Sequence, residues 1–148
     1  MKKHLDLMGF YFLLLAVFTA GRWALSFGSM SYAQATPIFS LVPLSLIASA
    51  HHAAFARVFR GYRLKDAIVL GLLIGLVTQV VIAGSTAISY GMGLSTLWNA
   101  PTALNQPTAV SFASAMTSRA IGGVVNLVLN VLAALLGYAM GAAIKTSK

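Results

Sequence analysis

The sequence has no cysteine and only two acidic residues, Asp6 and Asp66, among its 148 residues. Without cysteine there can be no disulfide, no thiolate nucleophile, no Cys-ligated zinc and no iron–sulfur cluster. Neither acid lies inside a long apolar run. This argues against proton-coupled exporters and acid relays, which keep a carboxylate within the membrane. Charge of any sign is scarce at 8% of residues, where soluble domains carry about a quarter. No phosphate-binding loop, zinc-protease motif or Ser-His-acid set is present, and the isolated Gly-Met-Gly at 91–93 reads as a turn. No catalytic function, bound metal or cofactor is expected.

What the chain does have is apolar length: 59% of its residues are hydrophobic. They fall into four runs of about 20 residues or more, the length that crosses a bilayer as a helix. The runs are 7–27, 38–58, 67–90 and 120–144. Strands in lipid need a closed barrel and a period-2 alternation, and these runs lack it. The fold class is therefore an all-α integral membrane protein, a single four-helix transmembrane domain with no hydrophilic stretch long enough for a second core. The basic start and apolar run of the N-terminus imitate a signal peptide. Arg22–Trp23 follow the small residues Ala20–Gly21, so a retained first helix is expected.

The positive charges set an orientation rather than a nucleic-acid surface. Lys2, Lys3, Arg57, Arg60, Arg63, Lys65, Lys145 and Lys148 all fall on one side of a four-span layout, and only Arg22 and Arg119 on the other. Basic residues are retained in the cytoplasm, so both termini are expected there, in a multi-pass protein of the inner (plasma) membrane. Arg57, Arg60, Arg63 and Lys65 form a short cluster suited to anionic lipid headgroups. Tyr11, Trp23, Tyr32, Tyr62, Tyr90 and Trp98 fall near span ends, where aromatic rings act as interfacial anchors.

Two features bear on function. In the second run, Ser45, Ser49, His52 and Ala56 share one helical face, a small and polar one, and His51 is rotated about 100° from it. His51 and His52 are the candidate cofactor-binding residues, for a haem or a quinone. Adjacent histidines on one helix cannot ligate one iron from opposite faces, so interfacial hydrogen bonding is the simpler role. Pro43 in the same run removes one backbone bond and suggests a kink.

The second feature is helix packing. Gly71 and Gly75 form one Gly-xxx-Gly pair, and Gly137 and Gly141 another. Asn126, Asn130, Ala133, Gly137 and Gly141 make a continuous small or amide stripe, and Gln79 is placed to pair with Asn130 across antiparallel spans. The segment 91–118 has no charge; LSTLWNA within it suggests one short helical turn, and AVSFASAMTS an extension of the fourth span. A neutral segment of this length suits contact with a partner subunit or with the protein's own helix ends.

Together these features suggest a non-catalytic accessory or scaffold subunit of a larger membrane complex, or a homo-oligomer. Its partners would be membrane lipids and other membrane subunits or itself. A small transporter or channel for a neutral or lipidic solute is the first alternative, and a haem- or quinone-contacting electron-transfer subunit the second. Reporter fusions at Met1 and Lys148 should both report a cytoplasmic location; an external location for either would overturn the four-span layout.

Overall fold

The computed structural model describes residues 2–28 and 30–146. Lys148 lies outside them, and the side chains of Lys2 and Lys145 are likewise outside what is described. Among the described residues six α-helices follow one another: α1 (Lys2–Leu7), α2 (Gly9–Ser26), α3 (Tyr32–Ala35), α4 (Leu41–Phe59), α5 (Leu64–Gly91) and α6 (Phe112–Thr146). A 3-10 turn, Pro101–Leu104, lies between α5 and α6, and there is no strand among the described residues. Helices α2, α4, α5 and α6 are each long and apolar enough to cross a membrane.

The boundaries differ from the sequence expectation for local reasons. The first run breaks at Met8, which is fully buried, so α1 turns off as a short separate helix. Helix α4 begins at Leu41, which puts Pro43 in its first turn. The first four N–H groups of a helix have no internal acceptor, so this proline costs no bond there and breaks nothing. Helix α6 starts at Phe112 rather than near 120, taking in the AVSFASAMTS stretch from Phe112 onward. At 35 residues it is about 52 Å long, well beyond the roughly 20 residues a bilayer requires.

Helix α6 is the element against which α4 and α5 both pack most extensively. The glycines explain how closely. A methyl group added at Gly137 would collide with the backbone carbonyl of Ala50, and one at Gly141 would come within 2.7 Å of the Ala54 carbonyl oxygen. So the α6 glycine pair sits directly on the small residues of α4. On the other flank, a methyl at Gly71 would meet the Asn130 carbonyl oxygen at 2.7 Å, and one at Gly75 would meet Asn130 and Leu127 at 3.1–3.3 Å. The α5 pair therefore packs on the middle of α6. Membrane helices gain little from burying apolar surface in each other, so such backbone proximity and interhelical polar bonds hold them together.

Asn130 is the polar centre of this three-helix contact and is completely buried. Ser49 Oγ donates to its Oδ1 at 2.7 Å. Its Nδ2 donates to Ser45 Oγ at 3.2 Å and to the Asn126 carbonyl of its own helix at 2.8 Å. Both N–H donors of the amide and one lone pair of its oxygen are thus engaged, in a medium that offers no water.

Helix α2 stands further out. Its inward face is bulky, with Tyr11, Leu15 and Phe18, and large side chains hold helix axes apart. Tyr11 is not an interfacial anchor: it is fully buried, and its hydroxyl meets Thr78 Oγ1 at 2.5 Å. Thr78 gives its own proton to the Ile74 carbonyl, so Tyr11 is the donor. Tyr62 is buried as well and donates to the Lys3 carbonyl at 3.1 Å, where His4 meets its ring edge-on. Nearby, Lys3 Nζ and Asp66 Oδ1 form an ion pair of 2.7 Å. These contacts gather α1, the α4–α5 turn and the start of α5 at one end of the bundle, called here the terminal end, where Gly141 of α6 also meets Ala54.

The close approach has a direct test. Gly137→Ala should lower stability in detergent by about 1–3 kcal/mol, because backbone must move to admit the methyl. Gly84→Ala, where nothing lies within 4 Å of the added carbon, should stay within about 0.5 kcal/mol of wild type or gain slightly. Equal melting temperatures for the two variants would contradict the packing described.

Candidate functional site

At the distal end of the bundle, opposite the termini, the uncharged segment folds back over the helices. Leu97 N–H is bonded to Ser26 Oγ at 3.1 Å, and Tyr90 donates to the Val110 carbonyl at 2.8 Å. Asn99 organises the first part: its Oδ1 accepts from Thr96 N–H and its Nδ2 donates to the Leu94 carbonyl, both at 2.8 Å. Ser89 and Thr96 share a hydroxyl–hydroxyl bond of 2.8 Å. The neutral segment therefore spends its polar groups on its own turn and on the protein's own helix ends. The expected helical turn in LSTLWNA is a hydrogen-bonded turn at 97–99, and the short helix forms instead at Pro101–Leu104. Asn105 ends it with φ 55°, a left-handed conformation that asparagine tolerates better than most residues.

Trp98 is the centre of this lid. It is 1% exposed, so it is a buried residue rather than a lipid-facing anchor. Its ring lies against Trp23, and its indole Nε1 has no hydrogen-bond partner. Its carbonyl accepts from Arg119 Nη2 at 2.5 Å. Arg119 also donates from Nε to Thr86 Oγ1 at 3.0 Å and from Nη1 to the Ala103 carbonyl at 3.1 Å. One guanidinium thus ties α5, the lid and the 3-10 turn to α6. Arg22, buried at 7% exposure, points to the same region. It packs its guanidinium over the rings of Tyr32 and Trp98, and makes one long bond of 3.4 Å to the Phe39 carbonyl.

Beneath the lid lies a half-open cavity of about 540 Å³. Its walls come from α5 (Gln79, Ile82), from α4 (Val42) and from the distal half of α6 (Arg119 to Asn126), and the 3-10 turn covers it. Ile121 and Val125 stand on its rim with most of their surface exposed. A second, small pocket of about 60 Å³ adjoins it between Arg22, Arg119, Trp98 and Ser40; Tyr32, Val42, Ile82 and Arg119 line both. Gly122 opens the larger cavity, since a methyl there would meet nothing within 4 Å.

Gln79 does not pair with Asn130. Helix register is the reason: Gly71 and Gly75 lie opposite Asn130, so Gln79 falls beside Gly123, about two turns further towards the distal end. Its Nε2 is buried without a partner, and Gln79 and Asn126 are among the polar residues of the cavity wall. Asn130 bonds to the serines of α4 instead. Along the small-residue stripe, Asn126 and Ala133 are only partly buried, and Ala134 is the alanine that is fully buried.

The histidines lie elsewhere. His52 is buried on α4, with Nδ1 donating to the Ala48 carbonyl at 2.8 Å. His51 is exposed beside it, the two rings 5.5 Å apart and nearly perpendicular. His4 is on α1 at the terminal end, and among the described residues no three His, Cys, Asp or Glu side chains converge as a metal site. In the basic cluster, Arg60, Arg63 and Lys65 are exposed. Arg57 turns inward: its guanidinium lies over Tyr138 and donates to the Tyr62 carbonyl at 3.3 Å.

No protein-family model, curated protein or solved structure matches this chain. The site is therefore read from its own chemistry. The sequence reading gave Arg22 and Arg119 no binding role: both stood as exceptions to the charge asymmetry, and Arg22 also spoke against cleavage of the first helix. The signal that marks them is the acid count: with Asp6 and Asp66 the sole carboxylate side chains, and Asp66 engaged by Lys3, no acid remains to pair either distal arginine.

Proposed function

We propose that the protein is a non-catalytic, membrane-embedded carrier or binding protein for an amphiphilic, lipidic solute, taken up in the cavity beneath the distal lid. The observation that carries this reading is the cavity itself. A volume of about 540 Å³ lies within the range of small-molecule sites. Its wall is mixed: aliphatic Val42, Ile82 and Leu104 face polar Gln79, Asn126 and Arg119, and exposed Ile121 and Val125 form its rim. A ligand with both an apolar body and a polar end matches such a wall better than a wholly polar one does.

This reading favours the transporter alternative over an accessory subunit. Two features suggested a partner: the small-residue faces and the neutral segment. Within this chain the small faces pack against each other, and the neutral segment packs on its own helix ends. Neither leaves a vacant surface that calls for a second protein. The site opens towards the extracytoplasmic side if the charge asymmetry sets the orientation as usual, with the basic terminal end in the cytoplasm of an inner-membrane protein. Lipids are its partners in this account, and nucleic acid is not one.

The cavity can be filled without disturbing the packing. Gly122→Phe introduces a ring where an added carbon meets nothing. Native mass spectrometry of the protein extracted in mild detergent should show a bound amphiphile in wild type and a loss of most of it in Gly122→Phe, with the melting temperature held. Equal amphiphile occupancy in the two proteins would place the ligand elsewhere and end this reading.

A further inference from the structure

We propose that the small pocket between Arg22 and Arg119 takes the phosphate of an anionic amphiphile, whose apolar chains lie in the adjoining cavity. The inference rests on the reading of that cavity as an amphiphile site and adds what the polar end must be.

The first argument is charge. Both arginines line the small pocket, and their partners are all neutral: carbonyls, a threonine hydroxyl and aromatic rings. The chain cannot supply a counter-charge here, since its two acids are Asp6 and Asp66 at the other end. Two neighbouring cations repel each other, and Arg22 is buried, where an unpaired charge is costly. A phosphate monoester carries about −1.5 to −2 near neutral pH, so one such group balances both guanidiniums. Carboxylate, with a single charge, balances one.

The second argument is donor chemistry. Trp98 Nε1 is a buried donor without a partner on a residue that lines the same pocket. Arginine offers five N–H donors, and Arg119 uses three of its nitrogens once each, which leaves capacity for more acceptors. The pocket thus presents donors and wants an acceptor-rich guest, and guanidinium forks match phosphate oxygens geometrically. Its volume of about 60 Å³ suits one small oxyanion rather than a bulky headgroup. The shared lining residues make the two pockets neighbours, so a headgroup in one leaves its chains in the other.

The test uses the full chain in a neutral detergent, with three short-chain lipids of identical acyl groups: a phosphatidic acid, a phosphatidylcholine and an uncharged diacylglycerol. Inorganic phosphate is a fourth arm. Native mass spectrometry of wild type should show phosphatidic acid retained over diacylglycerol by at least about tenfold, as expected when charge-assisted bonds are made. Arg22→Gln should cut that preference to near unity while diacylglycerol retention is unchanged. Arg22 is the variant of choice because it makes only one long hydrogen bond, whereas Arg119 also holds the lid. Arg22→Lys, which keeps the charge but not the fork, should fall between.

Equal retention of all three lipids by wild type, or an undiminished preference in Arg22→Gln, would overturn the phosphate assignment; if Gly122→Phe still released those lipids, the amphiphile cavity would stand without it. Inorganic phosphate that raises the melting temperature of wild type but not of Arg22→Gln, with no lipid retained, would mark a free-anion site. That outcome would overturn both the amphiphile-borne headgroup and the amphiphile cavity.

Discussion

The structure turns on one approach of backbone to backbone, that of α6 to the two helices flanking it. Gly137 and Gly141 bring α6 onto Ala50 and Ala54, while Gly71 and Gly75 bring α5 onto Asn130. Dispersion falls off steeply with distance, so the benefit of such contacts exists only while no Cβ intervenes. Asn130 then converts proximity into register. Its amide is satisfied only when Ser45 and Ser49 face it, and an unsatisfied amide in this medium costs more than any sliding would gain. Everything at the distal end follows from where that amide stands.

Beyond Asn130 the same helix behaves differently, although its composition hardly changes. Gly137 is filled by a neighbour's backbone, whereas Gly122 faces open space. The difference lies in the partner side. Near the terminal end α4 offers alanines that fit glycine directly. Towards the distal end the facing elements offer Gln79, Ile82 and Val42, and the chain caps the resulting space with a lid instead of closing it. That lid is uncharged yet rich in hydroxyls and amides, which lets it satisfy its backbone locally while carrying Trp98 into the interior. Arg119 joins the parts, and the extra length of α6 beyond a bare span is what brings it there.

Much of this was legible in the residues and some was not. Apolar run length announced the four spanning helices, because hydrocarbon permits little else. Helix ends were less legible: the break at Met8 falls inside apolar sequence, and α6 begins at Phe112, where Ser111 Oγ accepts from Ser114 N–H, a local cap that hydropathy does not register. The glycine pairs stood out by spacing, but the register between α5 and α6 did not, and an error of about two turns sent Gln79 to Asn130 when it lies by Gly123. Aromatic residues near span ends looked alike as anchors. Only packing separates Trp98, Tyr11 and Tyr62, which are buried, from rings that meet lipid. The cavity was the least legible element, since an empty volume arises from what five separated stretches fail to fill. Even so, its most telling chemistry was present in the composition, as two distal arginines in a chain with no acid to spare for them.

The account's central claim is that this space is shaped for an amphiphile with its charged end at the lid. The most direct measurement is an experimental density map of the protein crystallised from lipid. The account predicts a continuous tube of density between α4, α5 and α6 that runs past Gln79 and Ile82, with its denser end between Arg22 and Arg119. A map in which that space is closed by side chains, or holds only separate waters while ordered lipid lies elsewhere on the surface, would contradict it.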